Sequence, residues 1–307
     1  MKIIDVNNWN DVLDGMIVIG GSARSGTTIM GKLINSLENV EYYFEPPMLV
    51  PLLLKSDEIR DESLKELLQF YFVDNFLLDS LAGRNINLNE NDDSCILHVK
   101  SKENIQNRYQ RSFRRNELEK LIKKTIFSFK SPEVVFFTEK ISTLFANNKK
   151  LFMHRNANDV INSLLKKGWF SNESLNANNP TQLYAMEIIN DIKIPYWVRD
   201  RDKKLWVNMD EINRCGYYYM RISESILRYS NDSIVVDYDK FIQTPKSILN
   251  KILKQYNLKS TNKTDDILES IHFQAKDRKN CLAGLNQEVR EKIEFLEKKL
   301  RSISNDN

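Results

Sequence analysis

Met16-Ile17-Val18-Ile19-Gly20-Gly21-Ser22-Ala23-Arg24-Ser25-Gly26-Thr27-Thr28-Ile29-Met30 reads as a strand, a tight loop and the start of a helix. Four consecutive apolar residues suit a buried strand, and the small residues after them suit a turn. From Thr27 onward Ile29, Met30, Leu33, Ile34 and Leu37 recur at helical spacing. The N–H groups of such a loop and of the helix's first turn converge on one place, which suits a phosphate or a sulfate. Four residues separate Gly21 from Gly26, as in an ATP-binding loop. Thr27, however, stands where the nucleotide-triphosphate motif requires Lys, and the positive charge lies inside the loop at Arg24. The bland alternative is a tight strand-to-helix connection and nothing more.

The 307 residues can bury a substantial core, and the net charge of +3 with mixed signs gives little support to a nucleic-acid partner. Cys95, Cys215 and Cys281 are widely spaced and odd in number, so neither a disulfide framework nor a metal spacing follows, and a reducing compartment is expected. No apolar run approaches the length of a membrane span. No metal cluster is expected, and the oligomeric state is not legible.

Later segments supply candidate polar groups at strand ends. Tyr42-Tyr43-Phe44 precedes Glu45-Pro46-Pro47, so a second parallel strand ending at Phe44 would place Glu45 at its carboxyl end, where open parallel sheets carry ligands. Otherwise Glu45 is a solvated residue before a turn. Thr125 to Phe129 reads as a strand with Lys130 at its end, just before Ser131-Pro132, either in the same crevice or on the surface. Lys150 to His154 reads as another strand, with Arg155 at its end and Ser163 on the following helix. A guanidinium and a hydroxyl placed so could grip a second phosphate; alternatively Arg155 pairs with Asp159 and Ser163 only packs.

Elsewhere the pattern predicts helices over 57–82, a strand at Cys95–Val99, a largely helical and solvated basic face over 101–124, and a long loop at 168–184. It predicts mainly helix from 185 to 229, a strand at Ser233–Tyr238, a helix opened by Thr244-Pro245, a polar anion-binding loop carrying Lys276, Arg278 and Lys279, and a last docking helix. The fold expected is α/β, a P-loop NTPase-like three-layer arrangement with a central parallel sheet and additional helices. Residues 1–307 are expected as one domain, with helical insertions at about 50–93 and 168–230 and a C-terminal helix at about 285–301.

Taken together, Arg24-Ser25-Gly26-Thr27-Thr28, the aromatic run ending Glu45-Pro46, Lys130-Ser131-Pro132, and Arg155 with Ser163 eight residues on resemble the sulfotransferases that use 3′-phosphoadenosine 5′-phosphosulfate (PAPS). The resemblance is to the carbohydrate 6-O-sulfotransferases and, secondarily, to the protein-tyrosine sulfotransferases. It spans roughly residues 16 to 256; the family's Arg-Asp-Pro and late Arg-Lys-Gly are replaced by Arg155-Asn156-Ala157 and Arg278-Lys279-Asn280.

The resemblance implies Glu45 as the base, and Arg24 and Lys130 as catalytic cations. It implies Gly21, Ser22, Ala23, Arg24, Ser25, Gly26, Thr27 and Thr28 around the 5′-phosphosulfate, and Arg155 and Ser163 on the 3′-phosphate. The product would be 3′-phosphoadenosine 5′-phosphate (PAP), and the acceptor a hydroxyl-bearing small molecule or glycan in the cytoplasm. Burial is expected to tune Glu45. The rivals are a P-loop kinase or nucleotide hydrolase, with Asp237 as its metal ligand, and a non-catalytic nucleotide- or glycan-binding module.

Overall fold

Five strands form the central parallel sheet of an α/β fold, flanked by helices. In chain order they are β1 (Ile17–Gly21), β2 (Val40–Phe44), β3 (Ile126–Lys130) and β4 (Lys149–His154), and, after the separate antiparallel hairpin of β5 (Ala185–Ile189) and β6 (Ile192–Pro195), β7 (Ser233–Asp237). The sheet order is β2-β3-β1-β4-β7. The computed structural model describes residues 9–111, 115–180, 185–272 and 280–306. Lys276, Arg278 and Lys279 lie outside the described residues. By internal contacts the chain forms two compact units. One comprises Met1–Gly20, Thr27–Phe152 and Lys240–Phe273; the other comprises Gly21–Gly26, Met153–Asp239 and Gln274–Asn307.

In the first unit β3 pairs in parallel with both β1 and β2. Lys130 stands in register with Ile19 on one side and Phe44 on the other. All five residues of β1 are buried, which is why its sequence runs apolar without alternation. Leu13, Val18, Phe72, Phe127, Phe129 and Phe145 are among the residues that fill this unit's core. Phe72 lies 4.8 Å from Phe127 and 5.5 Å from Phe129, ring centre to ring centre. The predicted helix over 57–82 is Asp61–Gln69 continued to Leu81, with Phe70–Leu77 wound as a π-helix.

The basic segment 101–124 is two helices, Lys102–Tyr109 and Arg115–Ile122, and one of its arginines is not solvated. Arg108 is buried and clasps Glu41 of β2 with two bonds, Nη2 to Oε1 at 2.6 Å and Nη1 to Oε2 at 3.0 Å. Ser80 Oγ donates to the same carboxylate at 2.8 Å. Burial opposes the Glu41 charge, but Arg108 and Lys100 outweigh it and hold the carboxyl below its usual range. Lys100 Nζ donates to the carbonyls of Asn35 and Val40 at 2.5 and 2.6 Å. The strand expected at Cys95–Val99 is a single 3₁₀ turn, Ile96–His98. Its backbone closes on itself and on Asn87 rather than on a strand, with Lys100 N to Ile96 O and Ile96 N to Asn87 O both at 2.9 Å.

In the second unit the long helix Glu211–Arg228 packs on Gln287–Asp306 and on Ala157–Lys167. Trp197 and Trp206 meet edge to face at 5.2 Å, and Phe170 contacts both. Of the loop expected at 168–184, Phe170 is therefore core, while Trp169 is exposed. The segment expected to be helical from residue 185 begins instead as the β5–β6 hairpin. Asn190 and Asp191 form its turn at φ +50° and +60°, the two left-handed residues that a tight hairpin turn demands.

Lys100 generates a prediction about pH. Loss of water pushes its ammonium down to about 8, against the attraction of Glu41. An unfolded lysine keeps its proton to about pH 10.4, so between the two values the unfolded chain binds the extra proton and stability rises with pH. Urea denaturation from pH 7 to 10 should show the stability difference between wild type and Lys100→Met growing above pH 8. A difference that stays flat contradicts the assignment.

Candidate functional site

The loop after β1 is built by side chains turned inward. Ser25 Oγ donates to Ser22 O at 2.5 Å and contacts Met153 O at 3.2 Å, and Ser22 Oγ donates to Ala23 O at 3.0 Å. Both serines are fully buried. The N–H groups of Ser25 and Ala23 are also engaged, with Ser22 O at 3.2 Å and with the Tyr218 hydroxyl at 3.1 Å. In the second unit the loop presents the exposed Arg24; in the first unit the helix Thr27–Ser36 opens with N–H groups that have no intrahelical acceptor. Arg24 Nε donates to Ser163 Oγ at 2.9 Å, so these two sequence candidates are partners.

Six non-glycine residues among those described have positive φ. Four are Asn or Asp (Asn39, Asn190, Asp191 and Asn257), which tolerate the left-handed region. The other two are Arg24 at +68° and Glu45 at +43°. Backbone held there by residue types that disfavour it costs on the order of 1–3 kcal/mol and concentrates at functional sites.

In the first unit, Glu45 and Lys130 meet. The Glu45 N–H continues the β2–β3 ladder to Lys130 O at 2.9 Å, and the left-handed turn brings the Glu45 carboxylate onto Lys130 Nζ. The ammonium also lies 4.4 Å from the centre of the Phe44 ring and donates to Thr28 Oγ1 at 3.3 Å. Its side chain is only 3% exposed, against 48% for Glu45. The expected burial of Glu45 is therefore not what the structure shows. A buried cation at a half-open carboxylate holds it instead, and a strand-end lysine before proline does not reveal that partner in sequence.

In the second unit, Arg155 leaves β4 beneath two carboxylates. Nη2 donates to Asp159 Oδ2 at 2.5 Å, and Nε lies 3.5 Å from Asp239 Oδ1. Tyr219 Oη donates to the Arg155 carbonyl at 2.8 Å, and the Tyr238 ring lies 4.9 Å from the guanidinium carbon. Asn156 caps the helix Ala157–Lys167 by accepting from Asp159 N at 2.9 Å, and its amide donates to Asp239 Oδ2 at 2.6 Å. The pairing of Arg155 with Asp159 that its spacing allows does form. Arg155 Nε is buried and makes no hydrogen bond; it faces Asp239 Oδ1 only as an ion pair. His154 is buried with neither ring nitrogen bonded; loss of water pushes its pKa down to about 4, so it adds no charge beside Arg155 at neutral pH.

Sequence reading missed Tyr218, Tyr238 and Asp239. Tyr238 and Asp239, the two residues after β7, carried a strand-end signal; Tyr218 carried none. No group of three His, Cys, Asp or Glu among the described residues is arranged to hold a metal.

The chain is thus an α/β protein with a central parallel sheet, a tight glycine-bounded loop after β1, and a lysine and an arginine at the ends of β3 and β4. A sequence profile described as the sulfotransferase family matches residues 16–262, and the chain belongs to that family. Membership implies sulfuryl transfer.

Solved structures similar to the chain include the sulfotransferase domain of the Synechococcus PCC 7002 olefin synthase, at 13% identity over 92% of this chain and 94% of that one, with a TM-score of 0.48. The sulfotransferase domain from the curacin biosynthetic pathway is 15% identical over 85% and 78%, with a TM-score of 0.44. Sulfotransferase STF9 from Mycobacterium avium is 14% identical over 95% and 80%, with a TM-score of 0.46. No curated protein matches the sequence.

Gly26 offers a direct check on the loop. Its φ is +86°, and a Cβ there would collide with the Tyr238 ring. Gly26→Ala should lower stability by about 1–3 kcal/mol, read by urea denaturation. Adding Tyr238→Ala should recover only the part due to the collision, since the backbone strain stays. Full recovery would show that φ is not limiting.

Proposed function

We propose that the chain transfers the sulfuryl group of PAPS to a hydroxyl of a sugar or related polyol. The observation that carries the reading is the Glu45–Lys130 pair, a carboxylate held on strained backbone against a buried ammonium that also touches the hydroxyl of Thr28. A non-catalytic binding module has no use for that arrangement. A kinase is disfavoured by Thr27, which stands in place of the lysine that reaches a triphosphate.

Bound PAPS supplies the activated sulfuryl group, and the chain's own residues do the rest. Glu45 accepts the proton of the acceptor hydroxyl through a carboxylate oxygen. The acceptor oxygen bonds to sulfur as the bond from sulfur to the 5′-phosphate oxygen breaks, and the electron pair leaves with that phosphate to give PAP. Lys130 and Arg24 stabilise the charge that collects on the departing oxygen, together with the N–H groups at the start of the helix Thr27–Ser36. Arg155 and Ser163 hold the 3′-phosphate; the place of Arg155 at the end of β4 supports this role, and Asp159 and Asp239 orient its fork. The three free cysteines suit a reducing compartment, and we assign the protein to the cytoplasm.

Transfer of radiolabelled sulfate from PAPS to a sugar panel tests this reading. Glu45→Gln should lower kcat about 10²- to 10⁴-fold, the usual share of general base catalysis, with PAP affinity little changed. Lys130→Met should lower kcat as well. Unimpaired turnover by Glu45→Gln would contradict the assignment of the base.

A further inference from the structure

A cavity of about 220 Å³ lies within the first unit, walled by residues of β2, the helix Thr27–Ser36 and the segments 75–76 and 85–99. That is below the ~300–1,000 Å³ of sites for drug-sized ligands, so it suits one small ring rather than a long chain. We infer that this cavity is the acceptor subsite and that it takes an uncharged, polyhydroxylated acceptor. The inference rests on the sulfuryl-transfer reading above and deepens it.

Location is the first argument. Phe44 forms part of the cavity wall, its ring lies 4.4 Å from Lys130 Nζ, and Glu45 is the next residue along the chain. The cavity therefore adjoins the carboxylate–ammonium pair across a single aromatic ring.

The polar groups in the wall supply the second. Asn35, Asn75, Asn85 and Asn87 all face the cavity, and primary amides both donate and accept, as hydroxyls do. Asn87 is already oriented, donating to Ser94 Oγ at 2.8 Å. Two of the lining residues each keep a buried polar atom without a hydrogen-bond partner, Tyr42 Oη and Asn35 Oδ1. Buried polar atoms are normally paired, and an unpaired one carries its desolvation cost until an acceptor or donor arrives. Gly31 is what lets the Tyr42 hydroxyl sit there, since a Cβ would collide with it. Burial, with Glu45 and Asp93 nearby, holds the Tyr42 phenol far above its ordinary range, so it stays a neutral hydroxyl.

Charge supplies the third. The two ionisable wall residues other than tyrosine and cysteine, Lys32 and Asp93, are paired at 2.7 Å and cancel. An acceptor bearing a carboxylate or phosphate finds no free counter-charge, and an acyl chain would strand the amides. In addition, Asn75 and Phe76 come from the π-wound stretch Phe70–Leu77, a rare winding that recurs at functional sites.

The test compares wild type, Tyr42→Phe and Asn75→Leu. Glucose, N-acetylglucosamine, myo-inositol, p-nitrophenol and 1-decanol serve as acceptors with PAPS. Saturation-transfer NMR reads sugar binding without the donor, calorimetry reads PAP, and melting curves confirm folding. At least one neutral sugar or polyol should be sulfated in preference to the phenol and the alcohol. Each variant should raise that acceptor's KM about tenfold and weaken its NMR signal, with PAP affinity unchanged. If PAP binds as in wild type but sugar binding and KM ignore both variants, the cavity assignment is overturned and the sulfuryl-transfer reading survives. Preference for p-nitrophenol or 1-decanol, or no saturation transfer from any sugar, overturns it too. Failure of wild type to bind PAP sinks the underlying reading instead, and the cavity loses its acceptor role with it.

Discussion

The parallel register of β3 is the constraint on which the Glu45–Lys130 pair depends. Lys130 is level with Phe44, so β2 and β3 end together, while β1 runs on from Ile19 to Gly21. Continuing the ladder by one bond, Glu45 N–H to Lys130 O, leaves Glu45 no room for extended backbone before the two prolines, and the chain turns left-handed. That turn delivers the carboxylate to the ammonium. The contact is thus a consequence of sheet geometry, and the strain at Glu45 is the cost of it.

Charge is managed differently in the second unit. Arg155 is the cation of the β4 end, yet two carboxylates attend it, Asp159 at Nη2 and Asp239 at Nε. In the proposed role, a phosphate at Arg155 would meet a fork already aimed by Asp159 and Asp239 and would have to compete with them. This trade of affinity for orientation follows from the rigid donor geometry of guanidinium. The Arg24–Ser163 bond ties the loop to the helix Ala157–Lys167 in the same way, by using a ligand-competent group as a brace.

Much of this was legible in the sequence, for identifiable reasons. β1 and its loop were readable because a buried parallel strand runs continuously apolar and small residues punctuate its end. The positions of Glu45, Lys130 and Arg155 at strand ends followed from strand boundaries alone. What could not be read were pairings between distant segments: Arg108 looked like one of many basic residues on a helix, and only the fold brings Glu41 and Ser80 to it. The β5–β6 hairpin was hidden because its apolar residues also fit helical spacing, and its signal lay in Asn190-Asp191. Cys95–Val99 was β-like in composition, but its backbone bonds go to its own turn and to Asn87. The cavity proposed for the acceptor draws on residues from 32 to 99 in sequence, and no local pattern announces such a wall.

The central claim is that the anion loop and the Arg155 site serve one 3′-phosphorylated donor. Calorimetry of PAP against ATP with magnesium, on wild type and on Arg155→Ala, tests it most directly. The account predicts PAP binding well above that of ATP, and loss of this preference in the variant. ATP binding as tight as PAP in wild type, or a preference for PAP that survives Arg155→Ala, would contradict it.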